Sequence, residues 1–253
     1  MKYGTVESLR LRVVAFLIMF GMFGLSTLLE TRNAFAQDSA EVVEADPWEP
    51  FNSKMFFFNH DILDRYVLKP VAKGWAFVLP EVARRSLRNV VDNTNVLPRL
   101  VNSLVQGKFA GAGREAARFT INSTVGLGGF LDIAKEGFGV DKSDEDTGQS
   151  LGFYGVGPGP YLVLPLFPPM TVRDGIGYVV DAAMNPINYL IPFAANADGG
   201  TTAGALIGIG FVDAVNRRSL NLERYEGVED TVIDLYSAVR SAYLEQREAK
   251  IKE

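Results

Sequence analysis

The chain has no cysteine. Disulfides cannot staple it, and a thiol nucleophile, a thiolate zinc site and an acylated N-terminal cysteine are excluded. It has a single histidine, His60. Any Ser-His-Asp arrangement must use that one imidazole, and no G-x-S-x-G elbow accompanies it. Positive charge is also short. Past residue 36 the chain carries 21 Lys and Arg against 28 Asp and Glu. A surface of that balance does not suit nucleic acid, which wants a net basic footprint. Ala203 to Val215 is apolar but too short to cross a bilayer.

What is present begins at the N-terminus. Lys2, Arg10 and Arg12 precede an apolar run from Val13 to Leu29, and Ala34-Phe35-Ala36 stands before Gln37. A basic start, an apolar middle and an A-x-A end are the three parts of an export signal. The rival reading is an uncleaved membrane anchor. Cleavage between Ala36 and Gln37 places the rest of the chain outside the cytoplasm. What remains is enough for one large domain or two small ones.

Residues 37–49 read as a polar, acidic, flexible leader. Phe51 to Leu68 reads as a helix, with Phe51, Met55, Phe58 and Ile62 on one face and Phe56, Phe57 and Leu63 widening it. A helix apolar nearly all round is buried or touches lipid. Pro70 and Pro80 fit the first turns of two further helices. The second is expected to turn Val82, Leu87, Val90 and Val91 inward and Arg84, Arg85 and Arg88 outward. Helices follow over Val96 to Gln106 and Ala110 to Thr124, split by Gly107. Gly126 to Gly129 is a tight turn. Glu136 to Gly159 lacks periodicity, and Tyr161 to Leu164 is short, apolar and hemmed by prolines. Thr171 to Met184 and Thr201 to Arg217 are the next helices. Val228 to Lys250 is a long amphipathic one, with Val232, Leu235, Val239 and Tyr243 on one side. The fold class is mainly α, with a short irregular or hairpin segment. Residues 50–225 form the helical domain and 226–253 the C-terminal helix.

Few residue patterns point to chemistry. Asp61 and Asp64 flank His60, but one imidazole with carboxylates is more simply a polar helix position. Gly155-Val156-Gly157-Pro158-Gly159-Pro160 lacks the Lys-Ser/Thr of a phosphate loop, and its prolines remove amide donors. It reads as a hinged or stiffened turn. Asp144, Glu145 and Asp146 are too closely spaced for an EF-hand. Gly200, Gly204 and Gly208 make one smooth helix face, open to close packing in a core or to lipid contact. No enzymatic activity, metal or cofactor is expected.

Taken in order, several motifs resemble the MlaA family, also called VacJ. They are Asp46-Pro47-Trp48-Glu49-x-Phe51-Asn52 with Phe56, Phe58, Asn59 and Asp64; Pro70-Val71-Ala72; and Asn102-x-Leu104-x-Gln106-Gly107. Arg118-Phe119-x-x-Asn122-x-Thr124-x-Gly126 and Arg173-Asp174-x-x-Gly177 with Asp181 continue the set. Gly148-Gln149-Ser150-Leu151-Gly152, followed by Tyr154 to Tyr161, is the most specific piece. The resemblance covers roughly residues 46 to 192. It departs at Thr147, where the family pattern has an aromatic, and in lacking the lipobox cysteine.

The resemblance implies a ring-shaped helical protein in the inner leaflet of the outer membrane. Such a protein associates with a trimeric porin and removes phospholipids mislocalised to the outer leaflet. The lipids pass through an amphipathic channel to a periplasmic carrier of the MlaC type, which maintains lipid asymmetry without chemistry on the lipid. Phospholipid is then the transported ligand. Phe58, Asn59 and His60, with the loop residues Tyr154, Gly155, Gly157, Gly159 and Tyr161, are the candidate channel or gate residues. Asn59 and His60 are polar within an apolar helix, which is costly unless they face water, a partner or a headgroup. The rival functions are a structural porin-associated module without lipid transfer and a secreted lipid hydrolase. Mass spectrometry of the membrane-extracted protein is expected to find Gln37 at the mature N-terminus. A mass that retains Met1 to Ala36 establishes an uncleaved anchor instead.

Overall fold

One unbroken helical run, Glu49 to Val78, opens the fold in this computed structural model, which describes residues 46–194, 199–229 and 234–253. It has three parts. Helix α1 (Glu49–Phe57) carries Pro50 in its first turn, where a missing N–H costs nothing. Phe58–Leu68 is π-helical, and the amide of Lys69 still reaches back five residues to the Asp64 carbonyl. Helix α2 (Lys69–Val78) then begins with Pro70. In a tight α winding the Pro70 ring would crowd the carbonyl of Tyr66, and the looser turns just ahead accommodate it.

The later helices are α3 (Glu81–Thr94), α4 (Val96–Val105), α5 (Phe109–Thr124), α6 (Ile133–Glu136) and α7 (Thr147–Phe153). A two-stranded antiparallel hairpin pairs β1 (Tyr161–Leu162) with β2 (Met170–Thr171), Tyr161 opposite Thr171 and Leu162 opposite Met170. Helices α8 (Val172–Met184), α9 (Ile187–Ala194), α10 (Gly199–Leu220), α11 (Leu222–Glu229) and α12 (Leu235–Lys252) complete the unit that runs from Trp48 to Glu253. The mainly helical class is as expected. Helix α4 packs on α5, α7 on α8, α10 across α2 and α3, and α12 on α7.

Several local expectations are corrected. The stretch from Glu136 to Gly159 contains α7, capped by Asp146, whose carboxylate accepts from the Gln149 amide. Helices α9 and α11 were not foreseen from periodicity, and the C-terminal helix begins at Leu235, with Val228 in α11 and Val232 outside the described residues. In α3 Val82 points outward at 72 % exposure, while Arg84 turns inward to the carbonyls of Leu79 and Ser219. Of the two readings of the Gly200–Gly208 face, open surface is favoured at two positions, where a Cβ at Gly204 or Gly208 would meet no atom of the described residues within 4 Å.

Polar side chains share the interior with a small apolar core that includes Val96, Tyr161, Val163, Met170 and Val215. Among the described residues the largest fully buried side chains include Gln149, Glu115, Asn52, Asn216, Thr171 and Ser103. Phe77, Phe109, Phe57, Val125, Leu127 and Tyr66 are exposed. Buried polar groups must be hydrogen-bonded to be tolerated, and these are. Glu115 accepts from Arg99 Nε at 2.8 Å and from the Ser143 amide at 2.6 Å. Asn102 Nδ2 donates to Asp181 at 3.0 Å and its Oδ1 accepts from Ser150 at 2.7 Å. Burial, with the charge of Asp146 nearby, holds Asp181 above the usual carboxylate value despite hydrogen bonds from Thr147 and Asn102.

Arg247 of α12 ties the C-terminal helix to α7 and α8 in the middle of the chain. Its two terminal nitrogens donate to Asp146 at 2.6 and 2.9 Å, and Nε and Nη2 donate to Asp174 at 3.1 and 2.8 Å. The Tyr243 hydroxyl donates to Asp174 as well. Burial alone pushes Asp174 up. Hydrogen bonds from Arg247 and Tyr243 and the Arg247 charge more than reverse this, and both Asp174 and Asp146 sit below the usual carboxylate range. Burial and the Asp174 carboxylate push the Tyr243 hydroxyl up.

The glycines of the sequence motif make this approach possible. A Cβ at Gly148 would lie 2.5 Å from an Asp174 carboxylate oxygen, and one at Gly177 would lie 2.3 Å from the Gly148 amide nitrogen.

Two predictions follow from this packing. Gly177→Ala forces backbone against backbone between α7 and α8 and is expected to destabilise by about 3 kcal/mol or more. Gly204→Ala, in open helix surface, is expected to gain up to about 1 kcal/mol. Urea unfolding of both variants checks the contrast. Arg247→Met removes the cation paired with Asp146 and one of the two paired with Asp174, which keeps Arg173 at 3.0 Å, and is expected to cost about 3 kcal/mol or more at neutral pH. Because Asp146 and Asp174 titrate below the ordinary value of 3.8, the stabilisation is present above that value and is lost as pH falls through their folded values. Stability measured against pH should therefore fall steeply in that acid window in the parent protein and less steeply in the variant.

Candidate functional site

Two asparagines, seven residues apart, fasten the first helical run to the hairpin. Asn52 is fully buried. Its Nδ2 donates to the Tyr161 carbonyl at 2.8 Å, and its Oδ1 accepts from the Val163 amide at 2.9 Å. Asn59 repeats the pattern at the hairpin tip, donating to the Leu164 carbonyl at 2.8 Å and accepting from the Leu166 amide at 2.9 Å. Each side-chain amide thus pairs with the backbone as another strand would. The second holds a strained turn, since Leu166 has a φ of 69° and is 70 % exposed.

The other end of the hairpin is held by α12. The Thr171 amide donates to the Tyr243 hydroxyl at 3.3 Å. Tyr161 is buried beneath Tyr236 and Tyr243, with ring centroids 6.2 and 6.1 Å apart. Tyr236 in turn meets the edge of Phe56, and Phe56 stacks on His60 at 5.7 Å. An aromatic chain therefore links His60 to Tyr161.

The loop between Tyr154 and Tyr161 is anchored at both ends. Tyr154 donates through its hydroxyl to the Val105 carbonyl at 2.5 Å, which ties it to α4. The amides of Val172 and Arg173 donate to the carbonyls of Pro160 and Pro158 at 3.0 and 3.1 Å. Arg173 also reaches the Val156 carbonyl at 3.3 Å. Gly155 and Gly159 take positive φ values of 86° and 66°, which their missing Cβ permits. Gly157 faces open space.

His60, Asp61, Asp64, Arg65 and Lys69 line a cavity of about 200 Å³. All but Lys69 lie in the π-helical stretch, and Lys69 follows it directly. Bonding to the fifth residue brings side chains four and five positions apart onto one face. Asp64 is gripped by Arg218 of α10 through two bonds of 2.7 and 2.9 Å. His60 Nδ1 lies 3.5 Å from Asp61. The outer side of the same stretch is apolar, with Phe58, Ile62, Tyr66 and Val67 exposed.

The residues expected at the site thus divide. Asn59 and Tyr161 meet along the hairpin, and His60 joins them through aromatic rings. Tyr154 and Gly155 are tied to α4 and α7 instead. Phe58 faces outward. Ala36 and Gln37 lie outside the described residues. Asn52, Tyr236, Tyr243 and Arg247 hold the site together but were not singled out for it. Of these, Asn52 had a readable signal, being a second asparagine at helical spacing from Asn59 in a phenylalanine-rich segment. Among the described residues, no group of three or more His, Cys, Asp or Glu could hold a metal ion.

Comparison with known proteins gives consistent matches. The family model described as MlaA lipoprotein matches residues 44–250. The intermembrane phospholipid transport system lipoprotein MlaA of Haemophilus influenzae is 35 % identical over 232 residues, covering 90 % of this chain and 88 % of that protein. The protein of the same name from Escherichia coli is 31 % identical over 208 residues, covering 81 % of this chain and 77 % of that one. A solved structure described as the structural basis for maintenance of bacterial outer membrane lipid asymmetry superposes with a TM-score of 0.69 at 30 % identity, over 82 % of this chain and all of that one. From the first asparagine of the helix–hairpin junction to the arginine that clamps α12, the residues described here fall within the matched segment, and this chain belongs to the MlaA family.

Proposed function

We propose that this protein is the outer-membrane component of an intermembrane phospholipid transport system. It removes phospholipids mislocalised to the outer leaflet and passes them through an amphipathic channel to a periplasmic carrier of the MlaC type, so maintaining lipid asymmetry. It sits in the inner leaflet as a ring, associated with a trimeric porin, and does no chemistry on the lipid. The observation that carries this reading is the apolar exterior: many phenylalanines and aliphatic residues lie outside, over an interior in which hydrogen-bonded polar groups share the core with a few apolar ones. An apolar exterior of this extent marks a surface that meets lipid or another protein.

Among the described residues no helix is long and apolar enough to cross a membrane. None of the 253 residues is a cysteine that could bear an acyl chain. The exposed apolar surface supplies membrane affinity on this reading, at roughly 25 cal/mol per Å² buried. A few phenylalanine rings give several kcal/mol on that scale, comparable with a single reversible acyl anchor. Phe58, Asn59, His60 and the Tyr154–Tyr161 loop border the lipid path, where the hairpin tip and the glycines provide its movable parts.

The test is expression of the full chain in cells that lack their own outer-membrane component of this system. Outer-leaflet phospholipid, read by an acyl-transfer assay, is expected to fall to the level of intact cells, with the protein recovered in the outer-membrane fraction. Correctly located protein that leaves lipid exposure unchanged would instead support a structural, porin-associated role.

A further inference from the structure

The backbone of the hairpin tip, Pro165 to Pro169, has no donor left to offer. Three of its five residues are prolines, which carry no N–H. The other two N–H groups are spent within the protein. Leu166 donates to Asn59 Oδ1 at 2.9 Å, and Phe167 donates to the Leu164 carbonyl at 3.2 Å. That carbonyl also accepts from Asn59 Nδ2 at 2.8 Å. Such a tip is a poor template for a partner's strand, which needs main-chain donors as well as acceptors. It loses little in a medium that offers no hydrogen bonds, since its donors are already satisfied.

The side chains favour the same medium. Leu166 sits in left-handed backbone at a φ of 69°, which glycine adopts freely and leucine does not. Its side chain is 70 % exposed, so the folded chain gains little from it in water. A leucine that is both strained and exposed is accounted for if something outside the fold buries it. Phe167 is exposed beside it, and its ring meets the Tyr178 ring edge-on at 5.9 Å. Tyr178 is itself half exposed. It puts a hydroxyl on an apolar ring, the combination that suits the level where acyl chains give way to headgroups. No charged residue stands between Asp146 and Arg173 in the sequence, so the hairpin carries no charge that lipid contact would have to desolvate.

We propose that the tip from Pro165 to Pro169 is a shallow wedge in the bilayer, with Leu166 and Phe167 among the acyl chains and Tyr178 at the headgroup level. The inference rests on the membrane-embedded reading above and names a part of the chain that enters lipid. Irregular backbone does not reach the hydrocarbon centre, where every carbonyl needs a donor, so the wedge stays near the boundary.

The absence of cysteine makes the test direct, because one introduced thiol is the only one to label. Leu166→Cys carries an environment-sensitive fluorophore, and Ser241→Cys, on the exposed side of α12, is the control. Each full chain, as extracted from membranes, is reconstituted into vesicles of phosphatidylethanolamine and phosphatidylglycerol. The vesicles contain lipid spin-labelled either near the headgroup or near the chain end. The label at 166 is expected to shift to the blue and to be quenched at least about twofold more than the label at 241, more by the shallow spin label than by the deep one. Quenching at 166 no greater than at 241, in protein that floats with the vesicles, overturns the wedge. Stronger quenching by the deep label overturns its shallow placement. Quenching that saturates at one spin-labelled lipid per protein assigns the contact to a transported lipid and overturns contact with the bilayer. A label at 166 that iodide cannot reach in isolated outer membranes, yet that lipid does not quench in vesicles, hands the tip to a protein partner and overturns the wedge. Protein that does not float with the vesicles at all overturns the membrane-embedded reading itself. If Leu166→Cys fails to fold by circular dichroism, Leu166→Gly, which suits the backbone at that position, decides the matter. Its unfolding midpoint should hold or rise while vesicle binding falls at least about threefold, and unchanged binding overturns the wedge.

Discussion

Buried carboxylates, amides and guanidiniums need partners, and the fold supplies them for most of those among the described residues. A carboxylate stripped of water without compensation costs several kcal/mol, more than a domain of this size can spare at many sites. Glu115, Asp174, Asn52 and Arg218 are all buried. Each is answered by a group from a distant part of the chain: Ser143, Arg247, Tyr161 and Asp64 respectively. Apolar cores tolerate some slippage because dispersion has no direction. A hydrogen-bonded interior does not, because angle and distance both matter. That directionality sets the register between elements that share little apolar contact.

The register matters most at the hairpin. Asn52 and Asn59 fix its position along the first helical run, and the contact of Thr171 with Tyr243 fixes its base against α12. Arg247 then fixes α12 against α7 and α8. The helix from the start of the fold, the hairpin from its middle and the helix from its end are thus linked through directional bonds. What this leaves less supported is the tip around Leu166, which is exposed and held in left-handed backbone geometry by a bond to Asn59. A stiff frame with a strained, apolar tip can move in one place without loosening elsewhere.

Some of this was legible in the chain. Helices α4, α5, α8 and α10 lie close to where periodicity puts them, because each has an apolar stripe or a cap, such as the Thr171 side chain accepting from the Asp174 amide. Helix α7 was not legible, for a physical reason. Thr-Gly-Gln-Ser-Leu-Gly-Phe is a poor helix former, and it is helical because Asp146 caps it and Gly148 lets α8 approach. In α3 Val82 and Arg84 depart from the expected faces, while Arg85 is outward as expected, because the usual rule sends valine in and arginine out. That rule assumes water on the outside. Val82 faces out, and Arg84 reaches the Ser219 carbonyl in an interior that holds many polar partners. Asn59 illustrates the same point. Its polarity within an apolar helix was a sound signal of a special position, but its partner is hairpin backbone and not water.

A protein built this way has a thermodynamic advantage as a conduit. Each methylene moved from water to an apolar setting is worth about 0.8 kcal/mol. A closed pocket that took both acyl chains from water would therefore hold a lipid too tightly to release it. Chains that stay against an exposed apolar face, next to a bilayer, exchange one apolar setting for another at little net cost. On the proposed reading, an open apolar track lets the protein take up a phospholipid and still let it go. The π-helical stretch presents such a face in Phe58, Ile62, Tyr66 and Val67.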